Sequence, residues 1–247
     1  MPSSLDRFSG HADLYARYRI DYPNDLYDFL LAHTPRRQRA WDCATGNGQA
    51  AVRLADLFGE VLATDLSENQ LANAPARPNL YYCVSPAEQT PFPAGHFDLV
   101  TVAQALHWFD VEAFHAEVRR VARPGATVAQ WGYGLNTVGP AVDRIVRHYY
   151  LNIVGPFWDA MRRHVEDEYA QLPFPFADVR HARFETVRTW DAGRFLNYLR
   201  TWSAGQKYQQ QHGSDPVLVI EDELKAVWGT GERAVRFPIF LRLGTCP

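Results

Sequence analysis

The stretch from Trp41 to Ala50, WDCATGNGQA, is the strongest constraint on what this chain can fold into. A short apolar run ends in an acid, Asp42, passes through a loop carrying Gly46 and Gly48, and enters a helical pattern at once. Such a strand-to-helix junction brings backbone N–H groups close to a ligand, and glycine permits both the turn and the close approach. Asp65 closes the next apolar segment. An acid about twenty residues beyond such a loop can hold ribose hydroxyls, so the pair points to a nucleoside-containing ligand.

The same alternation continues along the chain. Valine- and leucine-rich runs predict strands near Arg39 to Cys43, Glu60 to Asp65, Asn79 to Val84, Phe97 to Ala103 and Ala126 to Trp131. Helical patterns fill the gaps, notably Gln49 to Leu57 and Val111 to Ala122, the latter stopped by Arg123-Pro124-Gly125. This is the signature of a parallel sheet covered by helices. Beyond Trp131 the rhythm changes: Val142 to Val154 and Trp158 to Leu172 read as helices, the second closed by Pro173-Phe174-Pro175, and together they suggest an inserted cap. A strand-like run from Val179 to Trp190 follows, then helical patterns at Ala192 to Leu199 and Pro216 to Val227, then an alternating run from Arg233 to Leu243. The expectation is five parallel strands with a late two-strand addition. Helices around residues 139–175 should fold over the carboxyl ends, where open α/β sheets bind ligands.

Composition removes several function classes. A chain of 247 residues can bury one α/β core with an elaboration, and a net charge of −3 argues against a general nucleic-acid binder. The cysteines Cys43, Cys83 and Cys246 form no CxxC, so neither a metal site nor a disulfide framework is expected. No apolar run near the N-terminus is long enough for a signal peptide or a membrane span, which points to a cytoplasmic protein.

The glycine loop alone leaves the cofactor open, because Gly46-Asn47-Gly48-Gln49-Ala50-Ala51 also fits the GxGxxA form of the dinucleotide fingerprint. Asp42 bears on the choice. A carboxylate beside a pyrophosphate is repulsive, whereas it suits a ligand bearing an ammonium or sulfonium.

Motif for motif, residues 38–132 resemble a class I S-adenosylmethionine-dependent methyltransferase with a methyltransferase type 11 domain. The matching motifs are Asp42 to Ala50, Asp65-Leu66-Ser67, Ala87-Glu88 with Pro91-Phe92-Pro93, Phe97-Asp98-Leu99-Val100, and Arg123-Pro124-Gly125. A narrower resemblance, carried by YARYRIDYP at Tyr15 to Pro23, QALHWF at Gln104 to Phe109 and TWSA at Thr201 to Ala204, is to trans-aconitate methyltransferase-like proteins. The chain departs from the commonest pattern at Ala44 and Ala50, where further glycines are usual, and at Pro86, where an acid often reads the adenine.

The resemblance implies a Rossmann-like fold: a seven-stranded, mostly parallel sheet with helices on both faces and a helical cap insertion. Its parts would be an N-terminal helical lid at 1–36, a cofactor-binding core at 37–132, the cap at 133–178, and completion of the sheet at 179–247. It implies that S-adenosyl-L-methionine lies against Ala44, Thr45, Gly46 and Gly48, with Asp42 near its ammonium, Asp65 on the ribose, Leu66 on the adenine face, and Ala87 with Glu88 at the adenine edge. From the lid, Tyr18 and Arg19 would cover the cofactor together with Tyr15 and Tyr22. Gln104, His107 and Trp108 would form the reaction zone. There His107 orients a nucleophile or takes its proton, and a ring face from Trp108, Tyr18 or Trp131 steadies the sulfonium. Arg144, Arg147 and His148, close together on one helical pattern, are candidates to receive an acidic substrate.

The expected function is methyl transfer to a small molecule, with O-methylation of a carboxylic acid favoured. No nucleic-acid or membrane partner is expected. An NAD(P)-dependent oxidoreductase and a non-enzymatic ligand-binding protein of the same fold are the alternatives.

Overall fold

The computed structural model describes residues 20–247. Among these a seven-stranded sheet runs in the order β3-β2-β1-β4-β5-β7-β6. Its strands are β1 (Arg39–Cys43), β2 (Glu60–Asp65), β3 (Leu80–Val84), β4 (Phe97–Ala103), β5 (Ala122–Tyr133), β6 (Ala177–Trp190) and β7 (Arg233–Thr245). Strands β1 to β5 pair in parallel, while β7 is antiparallel to both β5 and β6. The seven-stranded, mostly parallel sheet inferred from the sequence is therefore the observed architecture.

The helices follow local signals. They are α1 (Asn24–Ala32), α2 (Gln49–Ala55), α3 (Glu68–Ala72), α4 (Val111–Val121), α5 (Pro140–His148), α6 (Arg163–Glu166), α7 (Ala192–Arg200), α8 (Ser203–His212) and α9 (Leu218–Trp228). Asp110 caps α4 by accepting from the Ala113 amide, and Asp191 caps α7 by accepting from the Arg194 amide. In α4 the buried Phe114, Val118 and Val121 fall at helical spacing, so one stripe faces the sheet.

Alternation along the strands divides the apolar interior into two faces. Ala40, Leu99 and Ala129 enter one core with α1, α2 and α7, while Trp41, Val100 and Val128 enter the other with α4.

Two expectations need correction, and two helices add to the picture. Trp158 to Leu172 is not one helix: two short 3-10 turns, Gly155–Phe157 and Ala160–Arg162, lead into the four-residue α6. Asp159 breaks the run by capping the Ala160–Arg162 turn through the Met161 amide, so a local side-chain bond overrides the helical period. Pro124 and Gly125 fall within β5 rather than before it, beside an irregularity in the β4–β5 register. Helix α8 is an addition, because its polar SAGQKYQQQH offered no apolar stripe to read. Within the segment expected to form the N-terminal lid, α1 packs with Leu26, Tyr27 and Leu30 buried.

Register places the functional groups. Asp42 lies opposite Thr101 across β1 and β4, Asp65 opposite Val84 across β2 and β3, and Gln130 opposite Arg242 across β5 and β7.

Candidate active site

The loop after β1 is held in a conformation that few side chains favour. Gly46 and Gly48 have φ of 58° and 82°, and Ala44 adopts 52°. Gly48 is confined further, since a Cβ there would lie 2.5 Å from the Tyr82 hydroxyl. The Thr45 amide donates to the Thr64 carbonyl at 2.9 Å, tying the loop to β2.

Asp65 links this loop to the next one. One carboxylate oxygen accepts from the Gly46 amide at 2.8 Å and the other from the Ser67 amide at 2.9 Å. It lines a cleft of about 480 Å³ together with Ala44, Gly46, Leu66, Ala87, Glu88 and Gln104. Leu66 is 46% exposed, an apolar side chain set on the cleft wall rather than in the core. Ala87 is buried at the cleft, and Glu88 accepts from the Asp110 amide at 3.0 Å.

Asp42 lies beneath the loop instead of on the cleft wall. It is 1% exposed, and its carboxylate accepts from the hydroxyls of Thr45 and Thr101. Burial pushes its pKa up to about 6, against the lowering effect of those two hydroxyls. A raised native pKa means that the protonated form is favoured on folding. The resulting stability is complete below pH about 4 and is lost as pH rises through about 6. Asp42→Asn is accordingly expected to be more stable than the parent by about 2–3 kcal/mol at pH 7.5, with the advantage gone by pH 4. Urea unfolding at the two pH values checks this, and equal stability at both would show that the hydroxyls compensate burial fully.

At the carboxyl end of β4, Gln104 takes φ of 59°. Its side-chain amide pairs twice with the backbone of Tyr133, donating to the carbonyl at 3.1 Å and accepting from the amide at 3.0 Å. The close approach of Gly132 permits this, for a Cβ there would sit 2.5 Å from the Gln104 oxygen. Gln104 and Trp108 also line a second, smaller cavity of about 50 Å³ with His107, Tyr133, Gly134, Leu135 and residues from the cap. The two side chains thus form a partition between cleft and cavity.

The cap contributes Trp158, Asp159 and Arg162, and the α7–α8 junction contributes Tyr198, Trp202 and Ser203. Arg162 lies over the Trp158 ring, 4.9 Å from its centroid, and its Nε donates to the Tyr150 hydroxyl at 3.4 Å. Among the described residues no carboxylate forms an ion pair with Arg162. Asp159 faces Lys207 at 3.8 Å.

His107 is 3% exposed, with Nδ1 at 3.5 Å from the Tyr169 hydroxyl. Burial, helped by the nearby Arg162, pushes its pKa down to about 3. The ring is uncharged at neutral pH and a poor proton acceptor, which argues against proton transfer as its role.

Several anticipated residues lie outside the cleft and the small cavity. Arg144, Arg147 and His148 are exposed on α5 and together line a separate surface pocket, Arg147 also bordering a groove next to Arg162, and Arg144 pairs with Glu223 at 3.3 Å. Trp131 is buried beneath Tyr22, ring centroids 5.4 Å apart, and lines neither cleft nor cavity. Tyr15, Tyr18 and Arg19 lie outside the described residues. Arg162, Trp158 and Asp159 escaped sequence reasoning because they sat in an apparent continuous helix. The signal available was Asp159 itself, an N-cap residue in mid-run.

Comparison with known proteins places this geometry. A family model described as a methyltransferase domain matches residues 41–129. A Dictyostelium discoideum protein, provisionally named a methyltransferase, is 30% identical over 96% of this chain and 94% of its own length. The solved structure of a provisionally assigned type II methyltransferase from Anaeromyxobacter dehalogenans is 41% identical, with a TM-score of 0.85 over 93% of this chain and 98% of that one. A Haemonchus contortus phosphoethanolamine N-methyltransferase 2, solved with phosphomonomethylethanolamine and S-adenosylhomocysteine, shares the fold alone. It is 18% identical with a TM-score of 0.50, covering 94% of this chain and 57% of that one. Full-length similarity, the matched domain and the sheet topology agree, and the chain belongs to the class I S-adenosylmethionine-dependent methyltransferases.

Proposed function

We propose that this enzyme transfers a methyl group from S-adenosylmethionine, held in the larger cleft, to a carboxylic acid seated against Arg162 in the small cavity. The observation that carries this reading is the Gln104–Trp108 partition, with the Asp65 carboxylate on one side and, on the other, the Arg162 guanidinium, which has no carboxylate in an ion pair among the described residues. The alternative of hydride transfer to or from a nicotinamide falls with the family assignment.

The residues of the cleft fit the cofactor. Its volume of about 480 Å³ suits a nucleoside ligand, Asp65 retains acceptor capacity for ribose hydroxyls, and Leu66 offers an apolar face for a base. Ala87 and Glu88 border the adenine end, while Ala44, Thr45, Gly46 and Gly48 would present backbone to the methionine portion. Asp42 acts from below: it fixes Thr45 and supplies negative charge beneath the ammonium.

Bound S-adenosylmethionine supplies an electrophilic methyl group and leaves as a neutral thioether, so the protein needs no acid at the leaving atom. Positioning then does most of the catalysis. Arg162 would pair with the acceptor carboxylate and hold one oxygen toward the partition. Trp108, Trp158 and Trp202 would exclude water, and uncharged His107 would orient the acceptor. A carboxylate is already ionised near neutral pH, so the weak basicity of His107 is no obstacle. The trans-aconitate methyltransferase-like resemblance agrees with an acid. Asp159 favours a second reading, an amine acceptor.

Calorimetric titration with S-adenosylmethionine, S-adenosylhomocysteine and NADH, followed by methyl-transfer assays on carboxylic acids and matched amines, tests the reading. Arg162→Ala is expected to raise KM for an acid about 10- to 100-fold, the worth of one charge-assisted pair, while cofactor affinity is retained. Methylation of amines alone, with Arg162→Ala unchanged, would transfer the assignment to Asp159.

A further inference from the structure

On the far side of Arg162 lies a surface groove of about 330 Å³ that shares Gly134, Leu135 and Arg162 with the small cavity. Its walls are largely apolar, formed by Leu135, Leu151, Val165, Pro238 and Phe240, with Tyr150 and the exposed Arg147 also bordering it. The carboxylates at its rim are engaged: Glu168 is held by both terminal nitrogens of Arg183 at 2.6 Å, and Glu166 accepts from the Tyr150 hydroxyl. The small cavity, about 50 Å³, has room for a few waters or a compact head group, since one water needs about 10–15 Å³ of such space. An acceptor of any size must extend beyond it, and the cleft on the other side of the partition is assigned to the cofactor.

We infer that the acceptor is an acid with an elongated apolar tail, its carboxylate in the small cavity against Arg162 and its tail in the groove beyond. This deepens the carboxylate reading and rests on it. Arg162 then serves as the hinge point between the two spaces: its charge selects the head, while its stem and the Leu135 side chain border the path of the tail. Each methylene that leaves water for the groove favours binding by up to about fourfold.

The test is kcat/KM for straight-chain saturated acids from acetate to octanoate, with S-adenosylmethionine, in the parent enzyme and two variants. Gly134→Leu narrows the shared wall, where a Cβ meets only Pro238 at 3.7 Å and the backbone is unstrained. Leu151→Trp obstructs the exposed mouth and guards against misfolding of the first variant. The parent is expected to prefer octanoate over propanoate by at least about 30-fold, from partial burial of the added methylenes. Either variant should cut that ratio about tenfold or more, with affinity for S-adenosylhomocysteine unchanged. Acids methylated with no dependence on length would overturn the tail and leave the carboxylate reading standing, as would a preference that both variants preserve. Turnover of alkylamines with no acid of any length methylated would overturn the carboxylate reading itself.

Discussion

Replacing Asp65 with alanine is expected to weaken binding of S-adenosylmethionine and S-adenosylhomocysteine by about 100-fold or more. Two effects combine. The proposed ribose contact consists of two charge-assisted hydrogen bonds, each worth roughly 1.5–3 kcal/mol net. The same carboxylate accepts from the Gly46 and Ser67 amides, so its loss also unties the glycine loop from the start of α3 and raises the cost of ordering both around the ligand. Asp65 is only partly buried, and the freed amides can reach water, so stability should fall by no more than about 1–2 kcal/mol. Calorimetry of both ligands, with urea unfolding as the control, separates the two effects. An unchanged dissociation constant would remove Asp65 from the ribose contact.

Arg242→Met should be the most destabilising single change considered, at about 3–5 kcal/mol. Arg242 is 5% exposed and has no carboxylate partner among the described residues. Its guanidinium donates instead to the Gln130 side chain at 2.9 Å, to the carbonyls of Tyr169 and Leu172 at 2.9 Å each, and to Pro173 at 3.4 Å. It also lies 4.8 Å from the Phe174 ring centroid. Burial pushes its pKa down to about 10, so it stays charged at neutral pH, solvated by the protein's own oxygens. Removing it strands those acceptors in the interior. It also releases Glu168 and Tyr169, both held at positive φ, and with them the tyrosine that meets His107. For a chain of this size the midpoint should drop by about 10 °C. Lysine, a single-point donor, should recover only part of the loss. A loss below about 1 kcal/mol would mean that water replaces the guanidinium without penalty.

The sheet was legible because burial on both faces writes each parallel strand as a short apolar run, as in Phe97-Asp98-Leu99-Val100. Even the odd residue in that run has a local reason: Asp98 pairs with Arg123 at 2.6 Å and accepts from the Gln38 and Arg39 amides. On the cofactor side the residues lie within one sequence stretch, so motif spacing placed them together, although burial of Asp42 depended on its register with Thr101 and escaped inspection. The acceptor side was opaque. Arg162 is one arginine among many, and only packing distinguishes it from Arg144 and Arg147, which carried the same charge on a cleaner helical pattern. Trp202 and Ser203 were visible as part of TWSA, yet nothing local tied that motif to Gln104. Contacts made across such separations are set by tertiary packing, which no window of sequence contains.

The partition is anchored to the sheet through the backbone of Tyr133 and not to a loop. All the residues that line the larger cleft fall between Ala44 and Asp110, whereas the walls peculiar to the small cavity, apart from His107, come from Tyr133 onward. The two halves of the proposed chemistry are therefore written in separable stretches of chain that meet at Gln104 and Trp108. Recipient preference in such an enzyme can drift, or be re-engineered by exchanging residues 155–166 and 198–203, without disturbing how the donor is held.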